Sequence, residues 1–205
     1  MTPKKEYVRP GVRQSLTLPM HMRRVNPMGY THGQINHQGI KHPGYDLNDG
    51  ANAWADLGQE LYAPGDARII FSNVAAGWGT LMVGYLSEKV LDPVTGKPIH
   101  IGFRLGHPQR LLYKVGARVK EGEVIATCGN GGIKSMTPHL HYDLFRRDLF
   151  ERLGREFAAK HGQREADRVC MPFAYWDRKS PLRDHFEELY LDPAEYHPEI
   201  RALGF

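Results

Sequence analysis

Short apolar runs, separated by polar turn-forming segments, fill the chain between about residue 60 and residue 146. The runs read ELYAP, DARIIFS, TLMVGYL, HIGFRL, ARV, EVIATC and HLHYDLF, and the segments between them include PGD, AAGWG, DPVTGKP and GNGG. Runs of this length are typical of β-strands, and Gly, Pro, Asn and Asp mark the turns between them. The pattern therefore predicts a mainly β fold with an antiparallel sheet or barrel-like core.

The pattern changes to a helical period after the last of these runs. Apolar residues then recur at four-residue steps between charged ones, at Phe145, Leu149, Leu153 and Phe157. This spacing places them on one face of an amphipathic helix. Further on, the segments Ser180-Pro181 and Asp192-Pro-Ala-Glu195 predict helix N-termini, because each begins with a capping side chain that is followed by proline.

These patterns divide the chain into three regions. Residues 1–30 lack a clear periodicity and are expected to form an N-terminal arm that lies on the domain. Residues 31–146 are expected to form the β domain, which opens with a loop rich in His, Gly and Asn. Residues 147–205 are expected to form a helical C-terminal extension packed on the core.

Composition places the chain among globular proteins. Hydrophobic residues make up 41% and charged residues 24% of the 205, which favours a packed core over disorder. The net charge is +4, and a mildly basic surface suits an anionic polymer, but no run of Lys and Arg is long enough to indicate nucleic acid. No apolar run is long enough to cross a bilayer, so no membrane span is expected. We also expect a monomer, and we expect Cys128 and Cys170 to be free thiols.

Histidine is frequent, with 11 residues, and two short motifs combine it with metal-ligating chemistry. In His139-Leu-His141 on a strand, the two imidazoles share a face, about 7 Å apart, while the leucine points into the core. In His42-Pro-Gly-Tyr-Asp46, a bend at the glycine can bring an imidazole and a carboxylate onto one ion, and zinc accepts both donors. Each motif alone also fits ordinary surface residues, and His107 alone fits a polar strand end.

The order and context of these motifs resemble the lysostaphin-like (LytM-type) zinc endopeptidases, a family of peptidoglycan hydrolases. HPGYD is similar to the family's His-x-Gly-x-Asp motif, and PHLHYDL to its Pro-His-Leu-His-Phe-Glu segment. Between them, LYAPGDARI, GWGTLMVGY and VGARVKEGEVIATCGNGG follow the family's order of strands, hairpin and glycine loop. The resemblance covers roughly residues 39–146 and implies a β core of the duplicated-hybrid-motif type.

Carried over residue by residue, the resemblance makes His42, Asp46 and His141 the ligands of one zinc ion, with a coordination position left open for chemistry. His139 and His107 become the catalytic histidines, which handle protons. The chain is then expected to be a metalloendopeptidase that hydrolyses peptide bonds in the cross-bridge or stem peptide of bacterial peptidoglycan. The N-terminal segment has no apolar stretch of a signal peptide. We therefore expect a phage-encoded protein, or one released or exported by an unconventional route.

The chain departs from the family pattern around its histidines. Leu-Gly-His107-Pro stands where the family usually has Tyr-Ala-His-Leu, and His100 is the rival for the role of His107. Asp143 stands where the family usually has Glu, a shorter carboxylate for supporting the ligands.

The segment upstream of the first ligand also leaves alternatives open. Some members have a tyrosine shortly before that ligand; here the nearest is Tyr30, so Asn36 or His37 can occupy its place instead. His32 and His37 are rival metal ligands, although neither has an aspartate four residues later.

A catalytically silent relative, which binds peptidoglycan or activates a hydrolase, is the main alternative function. Such members typically lack metal ligands, whereas all five key positions are filled here.

The Gly-Asn-Gly-Gly run at 129–132 lacks the Lys-Ser/Thr of a phosphate loop and predicts a tight turn beside the substrate groove. Cys128 would be needed as a nucleophile only without zinc. VGARVKEGEVIA also resembles the hairpin of biotinyl or lipoyl carrier domains, but their lysine motif is missing.

Overall fold

A computed structural model of the chain describes residues 11–21, 29–49, 52, 54–169, 174–177 and 180–202. Cys170 and parts of the expected N-terminal arm (1–10 and 22–28) lie outside the described residues. The strands of the described part are β1 (Val12–Arg13), β2 (Tyr45–Leu47), β3 (Glu60–Tyr62), β4 (Ala67–Ala75), β5 (Gly79–Leu86), β6 (Lys89–Leu91), β7 (Pro98–Ile99), β8 (Ile101–Gly106), β9 (Arg110–Leu111), β10 (Arg118–Val119), β11 (Val124–Thr127), β12 (Leu140–Arg146) and β13 (Tyr190–Leu191).

Helices are concentrated in the C-terminal third of the chain. They are α1 (Arg147–His161), α2 (Gln163–Val169), α3 (Phe186–Leu189), α4 (Pro193–Tyr196) and α5 (Pro198–Ala202), with 3-10 turns at Ala174–Trp176 and Pro181–Arg183. The prediction of a mainly β fold with a helical C-terminal part is confirmed.

The largest sheet has seven strands and carries the site. Its strand order is β10-β4-β5-β8-β12-β13, and β2 also pairs with β12. All of its pairings are antiparallel. Two further sheets have three strands each, in the orders β1-β6-β7 and β3-β11-β9. The pairing of β1 with β6 is parallel, so the fold is not antiparallel throughout.

Both faces of the seven-stranded sheet are covered, because alternate residues of its central strands belong to different core clusters. On β5, Met82 packs in one cluster, whereas Leu81 and Val83 pack in the other. On β12, Leu144 packs in the first cluster and Phe145 in the second. Residues of the C-terminal helices and turns supply much of the second cluster. The extension therefore covers the face of the sheet that the polar residues of β12 share.

The described part of the N-terminal segment lies on the opposite cluster. Leu16 and Met20 are buried in the first cluster. The backbone N–H of Thr17 donates to the carbonyl of Pro64 at 2.9 Å. This segment therefore contributes to the core on the side of the sheet away from the polar residues of β12.

Phe145 belongs to two of the sequence patterns, the strand run HLHYDLF and the four-residue apolar stripe. In the structure it is a residue of β12, paired with Gly102 and with Tyr190. These pairings on both sides continue the strand, so α1 begins only at Arg147. Of the remaining stripe, Leu153 is buried and Leu149 packs against the second cluster. The helical prediction is therefore correct from Leu149 onward.

The two predicted N-caps are present, but they start short turns of helix. The side chain of Ser180 accepts a hydrogen bond from the N–H of Leu182 and opens a single 3-10 turn. The side chain of Asp192 accepts one from the N–H of Ala194 and opens the four-residue α4. In the parts of the chain that are described, no helix has both the length and the apolar character needed to span a membrane.

Candidate metal centre and active site

The pairing of β2 with β12 brings together two motifs that are far apart in the sequence. Asp46 lies opposite His141 in the register of the two strands, although 95 positions separate them. Gly44 is required for this approach, because a Cβ at that position would lie 2.0 Å from the carbonyl oxygen of Tyr142. The glycine of the first motif therefore acts through close backbone contact.

Three donor atoms meet at this point. Nε2 of His42 lies 3.2 Å from Oδ1 of Asp46, and Nδ1 of His141 lies 3.1 Å from the same oxygen. The three donor atoms all lie within 4.8 Å of one another. Ligand atoms at about 2.0–2.1 Å from a tetrahedral zinc ion are about 3.3 Å apart, so these side chains fit such an ion.

Each of the two histidines has its other ring nitrogen bound to an acceptor. Nδ1–H of His42 donates to the carbonyl of Gly44 at 2.8 Å. Nε2–H of His141 donates to Oδ2 of Asp143 at 3.0 Å. Because the acceptor fixes the tautomer, the remaining nitrogen of each ring keeps its lone pair on the side of the donor cluster.

Asp143 is itself held by a buried arginine. Nε of Arg104 donates to both carboxylate oxygens, at 2.9 and 2.8 Å, and both side chains are fully buried. Burial opposes ionisation, but Arg104 and His141 together lower the pKa of Asp143. The shorter carboxylate that replaces the family's usual Glu therefore reaches the ring of His141, and it stays ionised beside it.

In the donor cluster too, neighbouring side chains outweigh the effect of burial on the pKa values. Burial opposes ionisation of Asp46, but its hydrogen bonds with His141 and His42 hold its pKa well below the usual range. Burial would lower the pKa of His141, but the neighbouring Asp143 and Asp46 raise it. Without an ion, the His141 ring therefore holds a second proton more readily than a free imidazole does. A bound cation would replace that proton, because a metal binds the neutral ring beside the ionised carboxylate.

His139 and His107 lie beside this cluster, and both are tethered by their Nδ1 atoms. Nδ1–H of His139 donates to the carbonyl of Thr137 at 2.8 Å, and Nδ1–H of His107 to the carbonyl of Trp78 at 2.7 Å. Nε2 of His139 lies 3.6 Å from Oδ1 of Asp46. The two rings are 4.8 Å apart between centroids. In each ring, Nε2 is thus the nitrogen that the tether leaves available.

His107 adopts a strained backbone. Its φ is +66°, and no other non-glycine residue in the described part of the chain has a positive φ. Three hydrogen bonds hold it: its N–H donates to Thr80, its carbonyl accepts from Gly131, and its ring donates to Trp78. Left-handed backbone at a bulky residue persists only where the surroundings over-determine it, and such residues cluster at functional sites.

The environment of His107 also sets its protonation. Burial, followed by the neighbouring rings of His139 and His141, lowers the pKa of His107 to about 3. The imidazole is therefore neutral near neutral pH, with its proton on Nδ1.

Trp78 packs against two of these histidines. Its fully buried ring lies 4.8 Å from that of His141 and 6.1 Å from that of His107. The guanidinium of Arg104 also lies over Trp78, at 5.0 Å from the ring centroid. Gly106, opposite His141 in the sheet, leaves room for this ring, because a Cβ there would lie 3.1 Å from it.

An open cleft of about 430 Å³ lies above the cluster. Its walls combine the four histidines and Asp46 with seven further residues: Tyr30, Asn36, His37, Gln38, Gly77, Met136 and Trp176. Tyr30, Asn36 and His37, the candidates for the tyrosine position before the first metal donor, therefore all line the cleft. Tyr30 donates its N–H to Oδ2 of Asp46 at 3.2 Å, and its hydroxyl lies 3.4 Å from Nδ1 of His37. Asn36 uses its side-chain oxygen to accept the N–H groups of two neighbouring loop residues.

His37 lines the cleft, but the other histidines considered as rivals do not. His32 stacks on Phe186 at 5.2 Å. His100 precedes β8 while His107 follows it, a separation of about 23 Å along an extended strand. His197 is buried against the hydroxyl of Tyr142 at 2.9 Å. The structure thus brings the five predicted residues together and leaves these histidines out.

Two further sequence hypotheses concern the segment before β12. Cys128 is buried and forms no disulfide within the described residues, and burial, with a contribution from Asp56, raises the pKa of its thiol to about 12. Such a thiol is a poor nucleophile. The glycine run borders the site: Gly129 pairs with His139 and Gly131 with His107. The run serves as a turn beside the cleft.

The sequence reasoning missed several residues of the site, among them Arg104, Trp78 and Trp176. Arg104 had a usable signal, because a charged residue in the middle of an apolar run predicts a buried ion pair. Trp78 lies in a turn-like segment and Trp176 in the C-terminal extension, and neither position carries a pattern that points to the cleft. Only the packing of the extension on the sheet places Trp176 there.

A buried His-Asp-His cluster beneath an open cleft, on a mainly antiparallel β fold, has the attributes of a zinc metallopeptidase site. The sequence model of peptidase family M23 matches residues 42–151, more than half of the chain, and the chain belongs to this family. No curated protein sequence matches it significantly.

Several solved structures are similar. A zinc-containing peptidase from Vibrio cholerae is 22% identical over 66% of this chain and 38% of its own, with a TM-score of 0.49. The catalytic domain of lysostaphin from Staphylococcus simulans is 21% identical over 58% of this chain and 77% of its own, with a TM-score of 0.43. A catalytic-domain mutant of the prophage-encoded M23 protein EnpA from Enterococcus faecalis is 19% identical over 63% and 87%, with a TM-score of 0.46. The chain thus spans less than half of the Vibrio protein.

Proposed function

We propose that the protein is a zinc-dependent endopeptidase that hydrolyses peptide bonds in bacterial peptidoglycan. One observation carries the proposal. The donor atoms of His42, Asp46 and His141 lie within 4.8 Å of one another at the base of an open cleft, and the rings of His139 and His107 adjoin them. Three protein donors with an accessible side are the arrangement of a catalytic metal, whereas a structural site is closed by a fourth.

The residues of the site would have different roles. His42, Asp46 and His141 would hold the ion, and Asp143 would keep the ring of His141 in place. When bound, zinc supplies a Lewis acid that polarises the scissile carbonyl and lowers the pKa of water. His139, with its proton on Nδ1, can accept a proton at Nε2 and return it to the leaving amine. His107, whose pKa is lowered to about 3, stays neutral, so its Nε2 would accept a hydrogen bond and position the reacting groups.

The motifs support peptidoglycan as the substrate. HPGYD and PHLHYDL resemble the two signatures of lysostaphin-like endopeptidases. The net charge of +4 suits an anionic wall polymer. The catalytically silent alternative is opposed by the donor cluster, since a scaffold that only binds has no need for three converging metal donors and two further tethered histidines.

Digestion of purified peptidoglycan tests the proposal. The zinc-loaded protein is incubated with the polymer, and the soluble products are identified by mass spectrometry. We expect new amino and carboxyl ends within the peptide part, and none with the His141→Ala variant. A protein that holds stoichiometric zinc yet releases no peptide ends from peptidoglycan would contradict this function and favour the silent relative.

A further inference from the structure

One wall of the cleft comes from outside the family-matched segment. Trp176, at the end of the 3-10 turn Ala174–Trp176, lines the cleft together with the metal donors, whereas the family match ends at residue 151. The C-terminal extension therefore contributes directly to the surface that a substrate meets.

The indole lies close to the donor cluster. Its ring centroid is 6.4 Å from that of His42 and 5.4 Å from that of Trp78. It also covers Gly77, where a Cβ would lie 3.5 Å from Cδ1 of the indole. Trp176 is only partly buried, so part of its surface remains open to the cleft.

Neighbouring residues fix the position of this turn. The buried Tyr175 donates its hydroxyl to the carbonyl of Lys41 at 2.6 Å, one residue before the ligand His42. On the other side, Asp177 forms an ion pair with Arg168 of α2 at 2.5 Å. The turn is thus tied both to the ligand segment and to the extension, and the indole is held in place before a substrate arrives.

The chemistry of the wall indicates what it can recognise. Most described residues that line the cleft are polar or ionisable, and Trp176 and Met136 supply its large apolar side chains. A partly exposed indole loses unfavourable contact with water when an apolar group packs on it. A glycine residue offers no side chain to do this, whereas an alanine methyl does.

We propose that Trp176 is a specificity-determining residue, whose indole packs against the small apolar side chain of a substrate residue that flanks the scissile bond. The substrate class is thus a peptide with alanine, rather than glycine, beside the bond that is cut. The inference rests on the proposed function and narrows it.

Matched peptides test the inference. Two pairs of peptides differ only by alanine or glycine, before the scissile bond in one pair and after it in the other. For the wild-type protein we expect kcat/KM to be about 10-fold higher for the alanine peptide of one pair, because a methyl group in an apolar pocket discriminates by about this factor. Trp176→Ala should reduce the preference to less than about 2-fold, mainly through KM.

Controls separate this effect from folding. Trp54 is 59% exposed and does not line the cleft, so Trp54→Ala should keep the wild-type preference. Zinc content and the thermal midpoint of each variant report on the fold. If Trp176→Ala does not fold, Trp176→Gln fills part of the same space with a polar side chain and should lose the preference as well. Trp176→Phe should retain part of it.

Binding provides a readout that does not depend on turnover. Calorimetry with the same peptides, in a His139→Ala background, should show tighter binding of the alanine peptide that is lost with Trp176→Ala. A Trp176→Ala protein that folds and keeps the full preference overturns the inference while peptidoglycan hydrolysis stands. A wild-type protein that binds the alanine peptide through Trp176 but cleaves nothing supports the inference and overturns the proposed activity. Absence of both binding and cleavage overturns both.

Discussion

At the scale of single residues, the site is defined by which nitrogen of each histidine is already engaged. His42, His107 and His139 donate Nδ1–H to backbone carbonyls, whereas His141 donates Nε2–H to a carboxylate. The free nitrogens of His42 and His141 meet Asp46 at 3.2 and 3.1 Å, within the donor cluster. The hydrogen bonds therefore fix which nitrogen of each ring is available, and the distance from that nitrogen to Asp46 separates the donors from His139, whose Nε2 lies at 3.6 Å.

This division predicts two classes of variant. Replacing His42, Asp46 or His141 with Ala removes a donor from a three-ligand site, so zinc should no longer be bound stoichiometrically. His139→Ala and His107→Ala should keep the metal but lose about 10²–10⁴-fold in kcat, the usual contribution of acid–base catalysis. Metal content by mass spectrometry and steady-state kinetics on a peptide substrate distinguish the two classes.

His100→Ala is the matched control, because this histidine precedes β8 and does not line the cleft. It should retain both zinc and rate. Full zinc occupancy in His141→Ala would refute the ligand assignment. An inactive His100→Ala beside a fully active His107→Ala would show that the assignment of the second catalytic histidine is wrong.

At the scale of elements, Asp92 joins segments that are distant in the sequence. It follows β6 and is 1% exposed. Its carboxylate accepts hydrogen bonds from Thr95 at 2.7 Å and from Arg146 at the end of β12 at 2.6 Å. Tyr196 of α4 also reaches it, at 3.4 Å. Burial opposes ionisation, but the bonds from Thr95 and Arg146 outweigh it and lower the pKa of Asp92.

The sign of this shift predicts the pH dependence. Because the folded pKa lies below the unfolded value of about 3.9, the carboxylate stabilises the fold fully above that value, and the stabilisation is lost as the pH falls through the folded pKa. Asp92→Asn should therefore lower the free energy of unfolding at pH 7 by about 1–3 kcal/mol. The difference in the free energy of unfolding between Asp92→Asn and the wild type should become smaller below about pH 4.

Denaturant unfolding at pH 7 and in the acid range measures the stability difference between variant and wild type and its change with pH. Glu199→Gln removes a carboxylate from an exposed position of α5, and we expect it to change stability by less than about 0.5 kcal/mol. If the difference for Asp92→Asn stays constant down to pH 3, a neutral packing effect rather than the charge accounts for it.

At the scale of the whole molecule, the C-terminal extension behaves as one layer of the core. Leu182 and Leu189 are fully buried in the second cluster, beside Phe145 of β12 and Val83 of β5. Tyr190 extends the central sheet through its pairing with Phe145. The polar face of β12 is therefore enclosed only when the extension is in place.

Leu182→Ala should consequently destabilise the entire fold. Truncating a buried leucine costs about 2–5 kcal/mol, and for a chain of this size each kcal/mol lowers Tm by about 2–4 °C. We expect a single thermal transition, shifted down by about 5–15 °C. Scanning calorimetry measures the shift and the number of transitions.

Val94→Ala alters a side chain that is 78% exposed and should leave Tm nearly unchanged. Two separated transitions in Leu182→Ala, with the upper one at the wild-type temperature, would instead show that the extension unfolds independently of the β domain.

The sequence predicted the parts of this protein that depend on local pattern. Short apolar runs located the strands, because the Gly, Pro, Asn and Asp residues between them mark turns whatever the strands pack against. The spacing within His42-Pro-Gly-Tyr-Asp46 and His139-Leu-His141 identified the candidate donors, because each pair is close along the chain. Phe145 fitted both a strand run and a helical stripe, since a four-residue step does not distinguish a late strand residue from an early helical one when both are apolar.

Only the tertiary structure decided how these parts are combined. The register of β2 against β12 brings Asp46 to His141, and the ion pair of Arg104 with Asp143 depends on the pairing of β8 with β12. The left-handed backbone of His107 is held by hydrogen bonds with residues of other segments. Trp176 reaches the cleft only because the extension covers the second face of the sheet. Contacts between segments far apart in the chain leave no periodicity in it, because packing selects them for shape and charge and not for spacing along the sequence.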